Sequence, residues 1–315
     1  MNLPVFDLHC DTALALLGDS LRECGSLKTN SYHIDLDRTK SFQRYAQCFA
    51  CFTSESYPKP INPVELFERE MVSVLREVDK HSDLIRLAYN AQDIEKNVVE
   101  GYMSAVLTIE GPAGFGYDPE LLPDLYAVGF RMTTLGWNDN NPLVGSHATG
   151  EKLQPLGREY VNKAQSLGMI IDVSHISDQG FWDIMDITAA PVIASHSNSR
   201  SVCDHTRNLT DDMFRQICSC NGVAGINLYS VFLGENPDMD TVCDHIFHFL
   251  ELDPDGKHIS IGGDLDGCDN LPAGICGIED YPALAQRLLD RGLSENMLQD
   301  IFWNNAFEVV KRCCT

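Results

Sequence analysis

The chain has 315 residues, of which 44% are hydrophobic, and its formal net charge is −23. A chain of this length can bury a sizeable core, and a single barrel of alternating strands and helices routinely reaches this size. The excess of acidic groups would repel the phosphates of nucleic acids and of anionic membranes, so we expect neither as a partner.

The first residues lead at once into a strand-like segment, without the basic and apolar regions of a signal peptide. No apolar run of about 18 residues predicts a transmembrane helix. We therefore expect a cytoplasmic protein, in which the 12 cysteines stay reduced and most are small buried hydrophobic residues. Cys48 and Cys51 have the CxxC spacing, but they lie in a strand-like run and no second CxxC pair accompanies them.

Eight short runs rich in Val, Ile, Phe or Ala have the composition of buried parallel strands. They cover residues 3–8, 46–52, 104–109, 129–135, 169–174, 192–195, 223–229 and 258–263. Helical patterns lie between or after them, at residues 64–80, 158–167, 240–252 and 294–311, and another helix begins after Thr210. This alternation predicts one (β/α)8 barrel, a TIM barrel, over residues 1–315. A doubly wound open sheet is the alternative, but the chain has neither a GxGxxG motif after the first strand nor a P-loop.

Ionisable residues follow the C-terminal ends of five of these runs. His9 and Asp11 follow the first run, Glu110 the third, His175 the fifth, His196 the sixth and Asp264 the eighth. The C-terminal ends of barrel strands meet at one mouth, where active sites are built. We therefore expect these six side chains, although distant in the chain, to lie close together.

Five of these residues have side chains that bind divalent cations. His9 and Asp11 are two residues apart, so in an extended chain both point to the same side, although such a pair can also be a buried hydrogen-bonded pair. Glu110 follows an apolar strand, where a carboxylate needs either a salt bridge or cations that it bridges. His175 and His196 each follow a serine, and either alone could be a core histidine. Together the five exceed the four ligands of an ordinary zinc site and suit two metals about 3.5–4 Å apart.

Asp264 lies in the segment Gly-Gly-Asp-Leu-Asp-Gly at residues 262–267. The paired glycines permit a close backbone approach, and the carboxylate could take a proton from metal-bound water and return it to a leaving amine. A turn that closes the last strand is the alternative, and Asp266 is a weaker candidate for the same role. The chain has no GxSxG motif, which disfavours a serine nucleophile. Structural or surface positions are assigned to His33, His81, His205, His245 and His248.

These motifs, in this order, resemble those of the membrane-type (renal) dipeptidases and their bacterial relatives, the M19 peptidases among the amidohydrolase-like metal barrels. The resemblance rests on FDLHCD at residues 6–11, IEG at 109–111, IDVSH at 171–175, SHSNS at 195–199, RNLTD at 207–211 and GGDLDG at 262–267. The segments span essentially the whole chain, so together they are far more specific than any single motif.

The resemblance implies a binuclear zinc centre with two Zn²⁺ ions per chain. His9 and Asp11 would hold one ion, His175 and His196 the other, and Glu110 would bridge them. The implied reaction is the hydrolysis of a short dipeptide by a metal-bridging hydroxide, with tolerance of a D-residue at the C-terminal position. A homodimer is possible, since dimers are common in this family.

The resemblance also implies roles for residues around the metals. Asp264 would be the acid/base carboxylate, Arg207 would bind the substrate's terminal carboxylate through its planar fork, and Tyr229 would line the pocket. Two positions depart from the family pattern. Trp137 stands where secreted animal members have a histidine that steadies the oxyanion, so either Asn138 or the metals would supply that stabilisation. Phe232 stands where some members have a tyrosine near the substrate carboxylate, which leaves the details of carboxylate binding open.

Two other functions are compatible with the same residues. The metal centre could serve another hydrolase, such as an N-acyl-D-amino-acid deacylase or a lactonase, because the pocket loops set the substrate. A barrel that binds metal without catalysis is the second alternative, and the presence of both Asp264 and Arg207 argues against it.

Overall fold

The computed structural model of the protein describes residues 2–22 and 25–314. In these ranges nine strands form one parallel sheet. They are β1 (Pro4–Cys10), β2 (Arg44–Phe52), β3 (Ile85–Leu87), β4 (Met103–Glu110), β5 (Phe130–Thr134), β6 (Ile170–Asp172), β7 (Val192–Ile193), β8 (Ala224–Ile226) and β9 (Ile259–Ile261).

Eight of the strands follow the order β7-β6-β5-β4-β2-β1-β9-β8, and a parallel bridge between Ala194 and Ala224 joins the two ends. The sheet is therefore a barrel, and the prediction of a (β/α)8 fold is confirmed, whereas the open doubly wound sheet is wrong. Each of the eight predicted runs overlaps one barrel strand. The later strands are shorter than the apolar runs that predicted them, because their last residues already belong to the loops of the mouth. That the whole chain, residues 1–315, is one domain stays a prediction.

The ninth strand, β3, was not predicted. Its three residues pair with Met103–Ala105 in the first half of β4, whereas β5 pairs with residues 107–109 in the second half. The short strand thus extends the sheet at the end opposite the mouth.

Thirteen α-helices lie in the described ranges. They are α1 (Thr12–Ala15), α2 (Leu36–Thr39), α3 (Pro63–Lys80), α4 (Ala91–Glu100), α5 (Leu122–Val128), α6 (Pro155–Ser166), α7 (Asp178–Met185), α8 (Asp211–Ser219), α9 (Ser230–Leu233), α10 (Met239–Leu252), α11 (Tyr281–Asp290), α12 (Glu295–Gln299) and α13 (Asn305–Cys313). Short 3-10 helices occupy Pro112–Phe115, Pro119–Leu121 and Ile278–Asp280. Thr210 caps α8 as predicted, because its hydroxyl accepts the Met213 N–H. None of the helices in these ranges combines the length and the apolar character needed to span a bilayer.

The C-terminal helical segment differs from the single helix predicted over residues 294–311. Ser294 caps its first turn, but a π-helical stretch, Asp300–Asn304, separates α12 from α13. The wider turn brings Trp303 against Phe6, with ring centroids 5.6 Å apart. Trp303 belongs to a buried cluster with alternate residues of six barrel strands, and this cluster fills the barrel interior beneath the mouth.

Every cysteine in the described residues has a free thiol, and Cys24 lies outside those residues. Cys48 and Cys51 are both fully buried in β2, where they pack as small hydrophobic side chains.

Candidate metal centre

The structure brings the six predicted side chains together at the mouth of the barrel. His9 is the second-last residue of β1, and Glu110 is the last residue of β4. His175, His196 and Asp264 each stand three residues beyond the end of β6, β7 and β9. All are buried, with at most 9% of their surface exposed.

The Glu110 carboxylate lies between two groups of candidate metal ligands. One oxygen, Oε2, is 3.3 Å from His9 Nε2, which is itself 3.5 Å from Asp11 Oδ2. The other oxygen, Oε1, is 3.0 Å from His175 Nε2 and 3.9 Å from His196 Nε2. We call His9, Asp11 and Asp264 the β1/β9 side of the mouth, and His175 with His196 the β6/β7 side. Glu110 contacts both sides, which is the placement needed for a bridging ligand.

Two of the site residues have a left-handed backbone conformation. His175 has a φ of 69° and Asp264 a φ of 55°. Residues other than glycine rarely adopt this region, and such strain concentrates at functional sites. In this protein the left-handed conformation directs both side chains from the ends of their strands into the mouth.

The hydrogen bonds of His175 and His196 define where their protons lie. Asn138 Oδ1 is 2.9 Å from His175 Nδ1 and can only accept, so the proton of His175 is on Nδ1. Ser195 Oγ donates its proton to Asp172 and therefore accepts from His196 Nδ1, at 2.6 Å. Both Nε2 atoms then carry a lone pair, yet they face each other at 2.8 Å. Two lone pairs in this position repel each other unless a cation lies beside them.

The protonation states of the two histidines on the β6/β7 side suit metal binding. Burial, together with the positive charges of Arg207 and His9, holds the pKa values of His175 and His196 well below their usual range. Both imidazoles therefore remain neutral, which is the form that binds a metal.

His9 differs from the other two histidines. Burial by itself would lower the pKa of His9, but the carboxylates of Glu110 and Asp11 raise it well above its ordinary value. Burial and the nearby charge of Glu110 raise the pKa of Asp11 to about 6. A proton on His9 therefore offsets part of the negative charge of the Glu110 and Asp11 carboxylates. A divalent cation would neutralise this charge more completely.

Three buried ligand atoms support the same conclusion. Asp11 Oδ1 has no hydrogen-bond partner among the described residues. His9 Nε2 and Glu110 Oε2 lack one there as well and make only ion-pair contacts, the closest of them with each other at 3.3 Å. Buried polar atoms without partners are costly and rare. Nitrogen and carboxylate oxygen donors around a shared glutamate suit two zinc ions. The residues at the mouth therefore fit the binuclear centre that the sequence predicts.

A buried carboxylate connects the strands on each side of the mouth. On the β1/β9 side, Asp7 Oδ1 accepts the N–H groups of His9 and Gly263, both at 3.0 Å, and its Oδ2 accepts the Tyr281 hydroxyl. On the β6/β7 side, Asp172 Oδ1 accepts the N–H groups of Ser174 and Ser195, both at 2.9 Å. Each carboxylate thereby ties a strand to the residue that precedes a site residue on the neighbouring strand.

Asp264 is held with one oxygen free for chemistry. Asn227 Nδ2 donates to its Oδ2 at 3.0 Å, and its Oδ1 lies 3.9 Å from His9 Nε2. Burial, together with the charges of Asp11 and Glu110, raises the pKa of Asp264 to about 7. The predicted close approach of the two preceding glycines is present, because a Cβ on Gly262 would overlap the carbonyl oxygen of Ser195.

The mouth opens into a cavity of about 300 Å³. Phe52, Tyr57 and Trp137 line it, with Phe52 edge-on to the other two rings. Tyr229 also lines it, although it lies three residues beyond the end of β8 and not at the strand end as predicted. The volume is at the lower end of the about 300–1,000 Å³ found for small-molecule pockets, which indicates a small ligand.

Asn138 and Arg207 already make hydrogen bonds within the chain, and their predicted roles toward a substrate stay predictions. Asn138 lines the cavity, but its Oδ1 is already shared between His175 and His147, so only its amide N–H groups remain for a ligand. Arg207 is 3% exposed and lies beside the ring of Phe232, 5.2 Å from its centroid. It donates to Ser197 Oγ and to the His196 carbonyl, and its Nε has no hydrogen-bond partner in the described part of the chain.

Four residues that position the site were not predicted from the sequence: Asp7, Asp172, Asn227 and His147. The first three are polar residues inside or directly after apolar runs, which is the same signal that identified Glu110. His147, in the loop after β5, bears no such signal. Asp266 accepts hydrogen bonds from Thr12 Oγ1 and from the His33 backbone N–H, and it also lines the cavity. Its candidacy as a proton carrier and the structural role of His33 stay predictions.

Comparison with known proteins identifies relatives of this site and fold. Residues 1–314 match the sequence family described as membrane dipeptidase (peptidase family M19). An uncharacterized dipeptidase of Schizosaccharomyces pombe is 33% identical over 225 residues, which cover 69% of this chain and 55% of that protein, so this chain matches about half of that relative's length. An uncharacterized protein of Klebsiella pneumoniae is 30% identical over 80% of this chain and 97% of its own length. A metallo peptidase from Rhodobacter sphaeroides, solved with a phosphinate mimic of the dipeptide L-Ala-D-Ala, superimposes with a TM-score of 0.90 at 25% identity, over 99% of this chain and 100% of that one.

Proposed function

Because the chain belongs to the membrane dipeptidase family, peptidase family M19, we propose that it is a binuclear zinc dipeptidase that hydrolyses the amide bond of short dipeptides. The single observation that carries the proposal is the pair of unprotonated Nε2 atoms of His175 and His196, which face each other at 2.8 Å beside the Glu110 carboxylate. Such a pair is stable only next to a cation.

The five ligands would be shared between two ions. His9 and Asp11 would hold one, His175 and His196 the other, and Glu110, which lies near both pairs, would be shared between them. When bound, the two ions would polarise the scissile carbonyl and supply a hydroxide nucleophile at neutral pH.

Asp264 would carry the proton. Its Oδ2 is held by Asn227, so Oδ1 is the oxygen that would take a proton from the attacking water and return it to the leaving amine. A pKa of about 7 suits both steps, because the group is then equally able to accept and to donate near neutrality.

The substrate's carboxylate would be bound on the wall formed by Phe232 and Tyr229, where Arg207 lies beside the Phe232 ring. The guanidinium of Arg207 supplies positive charge there, and its Nε is a donor that is not used within the described residues. Asn138 lines the same cavity, and its amide N–H groups could stabilise the oxyanion in the place of the histidine replaced by Trp137. Tolerance of a D-residue at the C-terminal position is part of the proposal, supported by the ligand of the Rhodobacter sphaeroides relative. A homodimer and a cytoplasmic location stay predictions.

Steady-state kinetics on the zinc-loaded full chain test the proposal. The substrates are L-Ala-D-Ala, L-Ala-L-Ala and N-acetyl-D-alanine, and metal content is measured on the same sample. We expect about two zinc ions per chain, a higher kcat/KM for the dipeptides than for the acetylated amino acid, and loss of activity on chelation that added zinc reverses. Preference for N-acetyl-D-alanine would show a deacylase instead, and absence of turnover with two bound zinc ions would show a non-catalytic barrel.

A further inference from the structure

A second group of metal-binding side chains lies at the end of the barrel opposite the mouth. It consists of Cys218 in α8, Asp253 directly after α10, and His258 directly before β9. One sulfur, one carboxylate oxygen and one ring nitrogen of the three residues all lie within 4.8 Å of one another. His258 precedes β9 whereas Asp264 follows it, so the length of the strand separates this cluster from the site described above.

We propose that Cys218, Asp253 and His258 form a second, peripheral site for a single Zn²⁺ ion. The inference does not depend on the proposed dipeptidase activity, because it uses none of the residues at the mouth. A thiolate and an imidazole are ligands that select zinc over calcium or magnesium, and three protein ligands leave a fourth tetrahedral position for water.

The hydrogen bonds of His258 prepare it for this role. Its Nδ1 lies 2.8 Å from the carbonyl oxygen of Gly222, which can only accept, so the proton is on Nδ1 and the lone pair is on Nε2. A metal-binding histidine is commonly fixed by this kind of bond from its other nitrogen to a backbone carbonyl. The His258 backbone N–H donates to Asp253 Oδ2 at 2.9 Å, which holds the carboxylate beside the imidazole and leaves Oδ1 available.

The surrounding backbone favours a cation. Cys218 lies in the last turn of α8, and Asp253 is the C-cap residue of α10. The C-terminal end of a helix carries a partial negative charge, so two such ends meet at this cluster. The neighbouring cation Lys257 is already paired with Asp300 and does not take the place of a metal.

Charge and access also fit a divalent ion. Burial and the nearby Asp253 charge raise the pKa of Cys218 to about 12, so the metal-free chain holds a thiol. Binding of Zn²⁺ would displace that proton to solvent, and the thiolate with the Asp253 carboxylate would balance the two positive charges. All three residues are half-buried, which leaves a path for the ion.

Cobalt substitution of the full chain distinguishes this site from the mouth. A Co²⁺ ion bound to a thiolate gives a sulfur-to-metal charge-transfer band in the near ultraviolet, and none of the ligands proposed at the mouth contains sulfur. We expect chelator-treated protein titrated with Co²⁺ to develop this band. The Cys218→Ala variant should lose this band. In His258→Ala, the affinity for Co²⁺ measured from the growth of the band should be weaker by at least about tenfold.

Cys220→Ala is the matched control, because Cys220 is also half-buried and is two residues away but outside the cluster. It should keep the band, and so should Glu110→Gln, which alters only the centre at the mouth. No band in the wild type, or a band that persists in Cys218→Ala, would overturn the proposal.

Thiol labelling of the wild type gives a second test that needs no variant to fold. The rate of alkylation of each cysteine is followed by peptide mass spectrometry. Protein whose centre at the mouth is already loaded with zinc is compared with and without one further equivalent of Zn²⁺. Selective protection of Cys218, at least about tenfold and with Cys220 unchanged, supports the site. Equal alkylation of Cys218 with and without the added zinc contradicts it.

Discussion

The two sides of the mouth use the same backbone arrangement for different purposes. On each side a buried carboxylate, Asp7 or Asp172, accepts one N–H from its own strand end and one from the neighbouring strand. The residue reached on the neighbouring strand, Gly263 or Ser195, directly precedes Asp264 or His196. Both carboxylates therefore set the spacing of two loops that carry site residues.

The second oxygen of each carboxylate makes the difference. Asp7 Oδ2 accepts the hydroxyl of Tyr281, a residue of α11, so this carboxylate joins the mouth to the helix layer. Asp172 Oδ2 accepts the hydroxyl of Ser195, which in turn fixes the proton of His196 on Nδ1. We therefore expect one carboxylate to anchor the fold and the other to orient a proposed metal ligand. Although similarly placed, these two buried acids should affect stability and metal affinity separately.

Glu110→Gln removes the ligand that both sides share, and we expect the largest effect from it. An amide cannot supply two anionic oxygens, so the metal content should fall from about two ions per chain to one or none. Activity should fall by more than the about 10²–10⁴-fold associated with a single acid/base group. Atomic absorption and dipeptide kinetics on the same preparation check this. Retention of two ions would mean that Glu110 does not join the two sides.

Asp264→Asn tests whether the Asp264 carboxylate, on the β1/β9 side, carries the proton. The amide keeps the shape and the contact with Asn227 but cannot exchange a proton, so kcat should fall by about 10²–10⁴-fold with metal content unchanged. Asn227→Ala is the companion variant and should lower kcat less. Turnover of Asp264→Asn at the wild-type rate would place the proton transfer elsewhere.

Asp172→Asn and Asp7→Asn test the division of tasks directly. Loss of the Asp172 carboxylate frees the Ser195 hydroxyl and the tautomer of His196, so zinc affinity should weaken by about 10–100-fold. Ser195→Ala should reproduce that loss. Asp7→Asn should instead lower the free energy of unfolding and leave zinc affinity within a few-fold of the wild type. Chelator competition and urea unfolding measure the two quantities, and equal affinity losses in both variants would refute the division.

Tyr281→Phe is a milder change on the β1/β9 side. It removes one hydrogen bond to the buried Asp7 carboxylate and nothing from the metal ligands. The free energy of unfolding should fall by about 1.5–3 kcal/mol, the range for a hydrogen bond to a charged group. Zinc stoichiometry should remain at the wild-type value. A loss of zinc in this variant would show that Tyr281 acts on the metal centre after all.

The pH dependence of stability should show the smallest effect. Burial raises the pKa of Asp7 in the folded chain above its ordinary value of 3.8. The stability that proton binding contributes is therefore fully present below pH 3.8 and is lost as the pH rises through the folded pKa, at about 1.4 kcal/mol per unit of pKa difference. The free energy of unfolding is measured in the presence of a chelator for the wild type and for Asp7→Asn. The wild-type value minus the variant value should fall as the pH rises from 3.8 through the raised pKa of Asp7. A difference that rises with pH would contradict the sign.

Much of the fold was predictable because its signal is local. Each barrel strand is a short apolar run, and each helix boundary at Thr210 or Ser294 has a capping side chain in the adjacent residues. The strand β3 and the π-helical turn at Asp300–Asn304 were not, because both depend on partners elsewhere in the chain. Three residues carry too little periodicity to identify a strand, and the wide turn arises where Trp303 packs against the barrel interior.

By itself the sequence determined which side chains can reach the mouth. Parallel strands end on one side of a barrel, so residues directly after apolar runs must converge there, and His9, Glu110 and His175 could be identified without coordinates of any atom. The protonation states of these groups, and which of their polar atoms remain without hydrogen bonds, depend on the tertiary structure. The proton of His196 depends on Asp172 through Ser195, and Asn138 is occupied by two histidines from different loops. Protonation depends on neighbours within a few ångströms in space, and those neighbours lie tens of residues apart in the chain.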